Sequence, residues 1–258
     1  MKLGLDGRTA VVTGGSKGIG KATALALAEE GVHLHLAART ESDLAEARRE
    51  IVDRFQVSVT IHPLDLSRSE NVDRLVEATK TADILVNNAG AIPAGTLDRI
   101  DEATWRAAWD LKVFGFINMC RGMLAHMGAR GSGVIVNVVG VAGERHDAKY
   151  VAGSVGNAAL IALTKTLGGA SVDHGVRVVG ISPGRIATGR METQLRRRAT
   201  MDFGDPERWR EYLAGLPFGR AGRPEEVGWL AAFLASDRAS YISGTVVTID
   251  GGAVARHA

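Results

Sequence analysis

The chain has 258 residues (27.2 kDa), 45% of them hydrophobic, and a mean hydropathy of +0.03, which suits one large α/β domain able to bury a sizeable core. A formal charge of +2 is too small to argue for nucleic acid or a membrane surface as the main partner, and the single cysteine, Cys120, excludes an internal disulfide framework and a thiolate metal cluster. There is no apolar run of about 18 residues and no cleavable apolar leader, so a cytoplasmic protein is expected.

Short β-rich runs alternate with helical patterns along the chain. Strands are predicted at 9–13, 32–37, 57–61, 83–86, 133–139, 176–181 and 246–249. Between them, helical periodicity covers 18–30, 41–54, 71–80, 105–127, 148–172 and 224–235, the last opening on Pro224, where a missing N–H costs nothing. Cys120 falls in one of these helical patterns and reads as a buried structural thiol. About seven strands, most bounded by helices, predict a doubly wound parallel sheet of Rossmann type in one domain, with helices on both faces. The irregular stretch 187–222 follows a strand's C-terminal end, where a doubly wound fold keeps its ligand crevice, and is expected to be a lid over the substrate.

Three ordered motifs carry the chemistry. The run Thr13-Gly14-Gly15-Ser16-Lys17-Gly18-Ile19-Gly20 joins the first strand to the first helix, where glycines let backbone N–H groups approach a pyrophosphate at the positive helix end. Asn87-Asn88-Ala89-Gly90 closes the fourth strand, and Pro183-Gly184 follows the sixth. With these motifs at these separations the chain resembles the short-chain dehydrogenase/reductase family from end to end, through Asp250-Gly251-Gly252. The resemblance implies an NADP- or NAD-dependent oxidoreductase acting on a small-molecule carbonyl or alcohol, and a homo-oligomer, dimer or tetramer. Gly14, Ser16, Lys17, Gly18 and Ile19 would hold the pyrophosphate and adenosine ribose, and Asp65 and Leu66 would lie beside the adenine. Asn88, Ala89 and Gly90 would line the ribose channel, and Pro183, Gly184, Ile186 and Thr188 would flank the nicotinamide. The second strand ends in Ala37-Ala38-Arg39-Thr40, with no carboxylate to repel a 2′-phosphate and with Arg39 able to pair with one, so NADP(H) is favoured over NAD(H). Lys17 can reach the same phosphate.

The family's four catalytic positions are changed. Val136-Asn137-Val138-Val139-Gly140 places the family's serine position at Gly140. Asn157-Ala158-Ala159-Leu160 places the lysine position at Asn157 and hence the tyrosine position at Gly153, while Trp109-Asp110-Leu111-Lys112 places the asparagine position at Lys112. A competing register makes Tyr150 the family tyrosine, with Ser154 in place of lysine. In the first register Tyr150, Gly153, Ser154 and Asn157 form one helical stripe, and the expectation is that Tyr150 or Lys112 supplies the proton while Ser154 or Asn157 assists. The plainer alternative makes Tyr150 a helix-entry aromatic and Lys112 a surface or interface charge. A lyase or isomerase on the same scaffold, or a silent dinucleotide-binding partner protein, are the other readings. Arg185, Arg190 and Arg196–Arg198 in the lid are candidates to recognise an anionic group on the substrate, against a solvated helical face, and His146 is a further loop candidate. The seven histidines lack ligand spacing, so no metal is expected.

Overall fold

Near-continuous apolar runs such as Val134-Ile135-Val136 build a sheet whose central strands are buried on both faces. In the computed structural model, which describes residues 2–256, all seven strands are parallel: β1 (Thr9–Thr13), β2 (His33–Ala38), β3 (Val59–Pro63), β4 (Ile84–Asn87), β5 (Gly133–Val138), β6 (Val176–Pro183) and β7 (Val246–Ile249). Their order is β3-β2-β1-β4-β5-β6-β7, so the winding direction reverses between β1 and β4, and the crevice opens above the C-terminal ends of those strands.

The pleat sorts the core into two layers. Ala10, Val12, Val134 and Val136 face α1 (Gly18–Glu29), α2 (Glu41–Val52) and α8 (Pro224–Ala235), through Leu27, Leu44 and Ala231. Val11, Leu85 and Ile135 face α3 (Ser69–Thr79) and α5 (Gly115–Arg130), through Leu75, Met119 and Met123. Cys120 lies in this second layer, and burial pushes its thiol up to about 12, which leaves it an inert packing group.

Two expectations need correction. The single helix expected over 105–127 is two helices, α4 (Glu102–Trp109) and α5, joined by a widened π-type turn at Asp110–Phe114. Such a turn adds a residue to the helical ladder and rotates the helix beyond it, which here aims Lys112 into the protein. The helical pattern over 148–172 also begins too early: α6 is Val151–Ala170, and Tyr150 is its N-cap with non-helical φ −141° and ψ 41°. The segment 187–222 folds as α7 (Gly189–Phe203) followed by short 3₁₀ turns at Pro206–Leu213 and Pro217–Gly219, around a small core of Leu195, Ala199 and Trp209. Among the described residues no helix is long and apolar enough to cross a membrane.

Candidate active site

The crevice is stitched at the point where the sheet reverses. Thr13 Oγ1, at the end of β1, accepts from the backbone N–H of Asn88 (2.9 Å) and of Ala89 (3.1 Å), and Asn88 Nδ2 donates to the carbonyls of Thr13 (3.1 Å) and Gly14 (3.3 Å). The glycine loop and the segment after β4 are thus fixed against each other. The loop is a cradle shaped by missing side chains: Gly14 turns at φ +67°, and a Cβ on Gly20 would strike the Gly14 carbonyl at 2.1 Å. No side chain caps the start of α1 and its first turn holds no acid, so its N-terminal N–H groups keep their positive field for an anion.

The other cofactor-facing candidates fall around this cradle unevenly. Thr188 caps α7 by accepting from Met191 N (3.2 Å), and its methyl lies 3.2 Å from where a Cβ of Gly18 would sit, so the start of α7 rests on the glycine loop. Ile186 is buried, and Gly184 N–H donates to the Ile249 carbonyl, fixing the turn after β6. Asp65 spends one carboxylate oxygen on Ser67 N and Oγ, shaping its own turn. Arg39 is exposed and unpaired among the described residues, but Lys17 is drawn to Asp43 on α2 at 2.7 Å rather than toward Arg39.

Lys112 is not a surface charge. It is 8% exposed; its stem passes beneath Gly90, where a Cβ would meet Lys112 Cδ at 2.3 Å, and Nζ donates to the carbonyls of Val138 (2.7 Å) and Val139 (3.4 Å) at the end of β5. Nζ also lies 4.4 Å from the centre of the Phe116 ring. Burial first, and the Arg190 guanidinium second, bring the Lys112 ammonium down from the usual lysine range to about 7.

The other candidate positions form a second group along α6. Tyr150 packs with Ile92, Ile100, Trp105 and Trp109, as a helix-entry aromatic would. Its ring also fills the place that Gly153 leaves open: a Cβ there would lie 2.0 Å from Tyr150 Cε1 and 2.1 Å from Cζ. Burial pushes the phenol up, and Arg190 pulls it partly back. Asn157 is buried against Gly140, its amide atoms 3.4 Å from where a Cβ of Gly140 would stand. Its Nδ2 donates to the Gly153 carbonyl (2.9 Å), and its Oδ1 has no partner, at a cost of about 1–3 kcal/mol for a buried acceptor. Ser154 departs from the expected stripe. Its hydroxyl accepts from Asp147 N–H (3.1 Å) and holds the loop before α6.

Two groups that sequence reasoning undervalues organise the site. Arg190, by sequence a possible anion receptor, sends Nη1 to the Gly90 carbonyl (2.8 Å) and Nη2 to that of Ile92 (2.7 Å), clamping α7 to the segment after β4. Asn137, inside β5, accepts from Asn87 Nδ2 (3.0 Å) and donates to Thr164 Oγ1 (3.0 Å), which fixes the depth of α6 against β4 and β5. A polar residue inside an otherwise β-branched run is the signal for the latter. The remaining candidate arginines divide: Arg196 pairs with Glu192 and Glu207 and Arg198 with Asp202, while Arg185 and Arg197 are exposed. His146 is exposed on the loop before α6. No cluster of three metal-ligating side chains occurs among the described residues.

Known proteins share this fold along nearly the whole chain. The family model described as enoyl-(acyl carrier protein) reductase matches residues 14–254. The chain is 34% identical to a 3-oxoacyl-(acyl-carrier-protein) reductase, FabG, of Thermotoga maritima, over 97% of this chain and 99% of the relative. An L-sorbose reductase from Gluconobacter frateurii, solved with NADPH and L-sorbose, superposes with a TM-score of 0.92 at 33% identity, covering 100% of both chains. A 7α-hydroxysteroid dehydrogenase solved with NADH and 7-oxo glycochenodeoxycholic acid superposes at 0.85 with 26% identity, covering 97% of this chain and 96% of that one.

Proposed function

The chain belongs to the short-chain dehydrogenase/reductase family, and from that premise we propose that it is a nicotinamide-dependent oxidoreductase of a small carbonyl or alcohol in which Lys112, not a tyrosine at position 153, carries the proton. Its similar proteins act on acyl-carrier-bound, sugar and steroid substrates, so the family alone leaves the substrate open. The dinucleotide fits the site: the Gly14–Gly20 cradle and the uncapped start of α1 suit a pyrophosphate, with Ser16, Lys17 and Ile19 beside it. Asn88, Ala89 and Gly90 lie on the stitched side of the crevice, and Pro183, Gly184, Ile186 and Thr188 on the lid side. NADP(H) preference rests on Arg39, exposed just beyond β2, with no carboxylate at that strand's end. The cofactor supplies or accepts hydride, so the protein's own task is to provide or remove one proton in step with it.

The observation that carries this reading is the placement of Lys112. A buried amine between the ends of β4 and β5, titrating at about 7, is matched to proton transfer near neutral pH in either direction. A phenol pushed above its usual range keeps its proton at neutral pH, so Tyr150 serves as a hydroxyl that orients the substrate oxygen. Asn157 shapes the wall between Gly140 and Gly153. Exposed apolar side chains at Phe114, Val155, Trp229 and Tyr241 support the expected self-association.

The test is a titration with NADPH and NADH, then a carbonyl and alcohol panel followed by nicotinamide absorbance. Carbonyl reduction needs the ammonium, so kcat/KM should fall as pH rises through about 7, while alcohol oxidation rises over the same range. Lys112→Met should lose about 10²-fold or more in both directions and Tyr150→Phe a smaller factor. Full rates in both variants would remove the proposed roles. Tight dinucleotide binding with no turnover across the panel would leave a silent binding protein.

A further inference from the structure

Resting on the oxidoreductase reading, we propose that Asn157 and the space left by Gly140 form an acceptor subsite for a hydroxyl carried by the substrate beside its reacting carbon. The enzyme then takes hydroxy ketones and vicinal diols in preference to their unhydroxylated counterparts.

The direction of the Asn157 amide is fixed by its own helix. Nδ2 donates to the Gly153 carbonyl one turn earlier, at 2.9 Å; the inverted amide would bring two carbonyl oxygens face to face. Oδ1 therefore turns away from the helix, and it finds no donor although the residue is only 4% exposed. Lys112 Nζ does not relieve it: two of its donors go to the carbonyls of Val138 and Val139, and the third is left for a ligand oxygen. The three heavy atoms nearest to a would-be Cβ of Gly140 all belong to Asn157, at the ordinary contact distance of 3.4–3.5 Å, so the missing side chain leaves room for one methyl- or hydroxyl-sized group against that amide.

The chemistry of the ligand group is set by this acceptor. An amide oxygen only accepts, so a ketone or ether oxygen gains nothing there and an O–H does. Lys112 Nζ is held at the carbonyls immediately before Gly140, so a substrate whose reacting oxygen addresses the amine can place a hydroxyl from the adjacent carbon on Asn157. A ligand lacking that hydroxyl leaves the acceptor buried and unpaired, and sites built for a hydroxyl discriminate strongly on this ground.

The experiment compares 1-hydroxy-2-butanone, 2-butanone and 1-methoxy-2-butanone. Binding to the protein–NADP⁺ complex is read by calorimetry, and turnover is measured with NADPH. The hydroxy ketone should bind at least about tenfold more tightly than either other ketone, and Asn157→Leu should reduce that ratio to within about twofold of unity. The methoxy ligand removes the donor without altering the protein, so the comparison holds even if the variant fails to fold. Equal binding of the hydroxy and methoxy ketones overturns the proposal, as does an unchanged ratio in Asn157→Leu. Loss of NADPH affinity in that variant with the ketone ratio intact would assign the acceptor to the cofactor's ribose and equally overturn it. A binding preference that holds while no ketone is reduced would sustain the subsite and refute the oxidoreductase reading instead.

Discussion

At the scale of single residues, the candidate site is shaped by side chains that fill the space beside glycines. Gly153 and Tyr150 are one unit, because the phenol ring lies where any side chain at 153 would begin. Gly153→Ala must therefore push the ring out of the crevice wall. We expect a loss of about 10²-fold in kcat/KM from a displacement of ångström size, and about 1–3 kcal/mol of stability from overpacking. The measurement is a double-mutant cycle: in a Tyr150→Ala background, which removes the ring, the alanine should cost much less activity and stability, and full additivity would mean the two do not act together. Lys112 depends on a glycine in the same way. Its stem occupies the place of a Gly90 side chain, which is why an amine on the far helix reaches the end of β5.

Among the elements, the lid clamp and the π-type turn are hidden from sequence for different reasons. The strands are legible because β-branched runs such as Val134-Ile135-Val136 have few other uses, and their bounds shift by a residue or two where loops extend the pairing. The glycine loop and the Asn88 segment are legible because their chemistry needs those residue types. The break between α4 and α5 is not, since a widened turn leaves the apolar period nearly intact, and Lys112 lies buried within that turn. The role of Arg190 is illegible because its partners are backbone carbonyls, which have no sequence signature. That clamp makes a prediction for α7 as a body. Arg190→Met should speed amide exchange over residues 189–203 and raise KM roughly tenfold, in line with about 1.5–3 kcal/mol for hydrogen bonds to a charged group. Removing the guanidinium also removes one of the two influences that lower Lys112, so the pH limb near 7 should move to the alkaline side. A changed KM with an unmoved limb would mean that Arg190 acts only as a clamp.

For the whole molecule, acid tolerance is set far from the crevice. His35 on β2 and His62 on β3 stack at 5.2 Å, with His35 Nδ1 and His62 Nε2 2.9 Å apart, so one ring donates and the other accepts. Burial lowers both, and the field of His35 lowers His62 further. Each therefore takes up protons less readily folded than unfolded, where histidine titrates at about 6.5. Their share of stability is present above that pH and is lost as pH falls below it. Urea midpoints at pH 7.5 and 5.5 should drop more in the wild type than in His62→Gln; equal drops would clear the pair of this role. A different kind of permanence comes from Gly140, whose backbone sits at φ +153° and ψ 143°, where side chains are rarely tolerated. A side chain placed there meets an unfavourable backbone, and one placed at 153 meets the ring of Tyr150. Each of these glycines thus admits a side chain only if its surroundings change with it, the backbone at 140 and the ring of Tyr150 at 153, so the two positions lock the crevice wall against single substitutions.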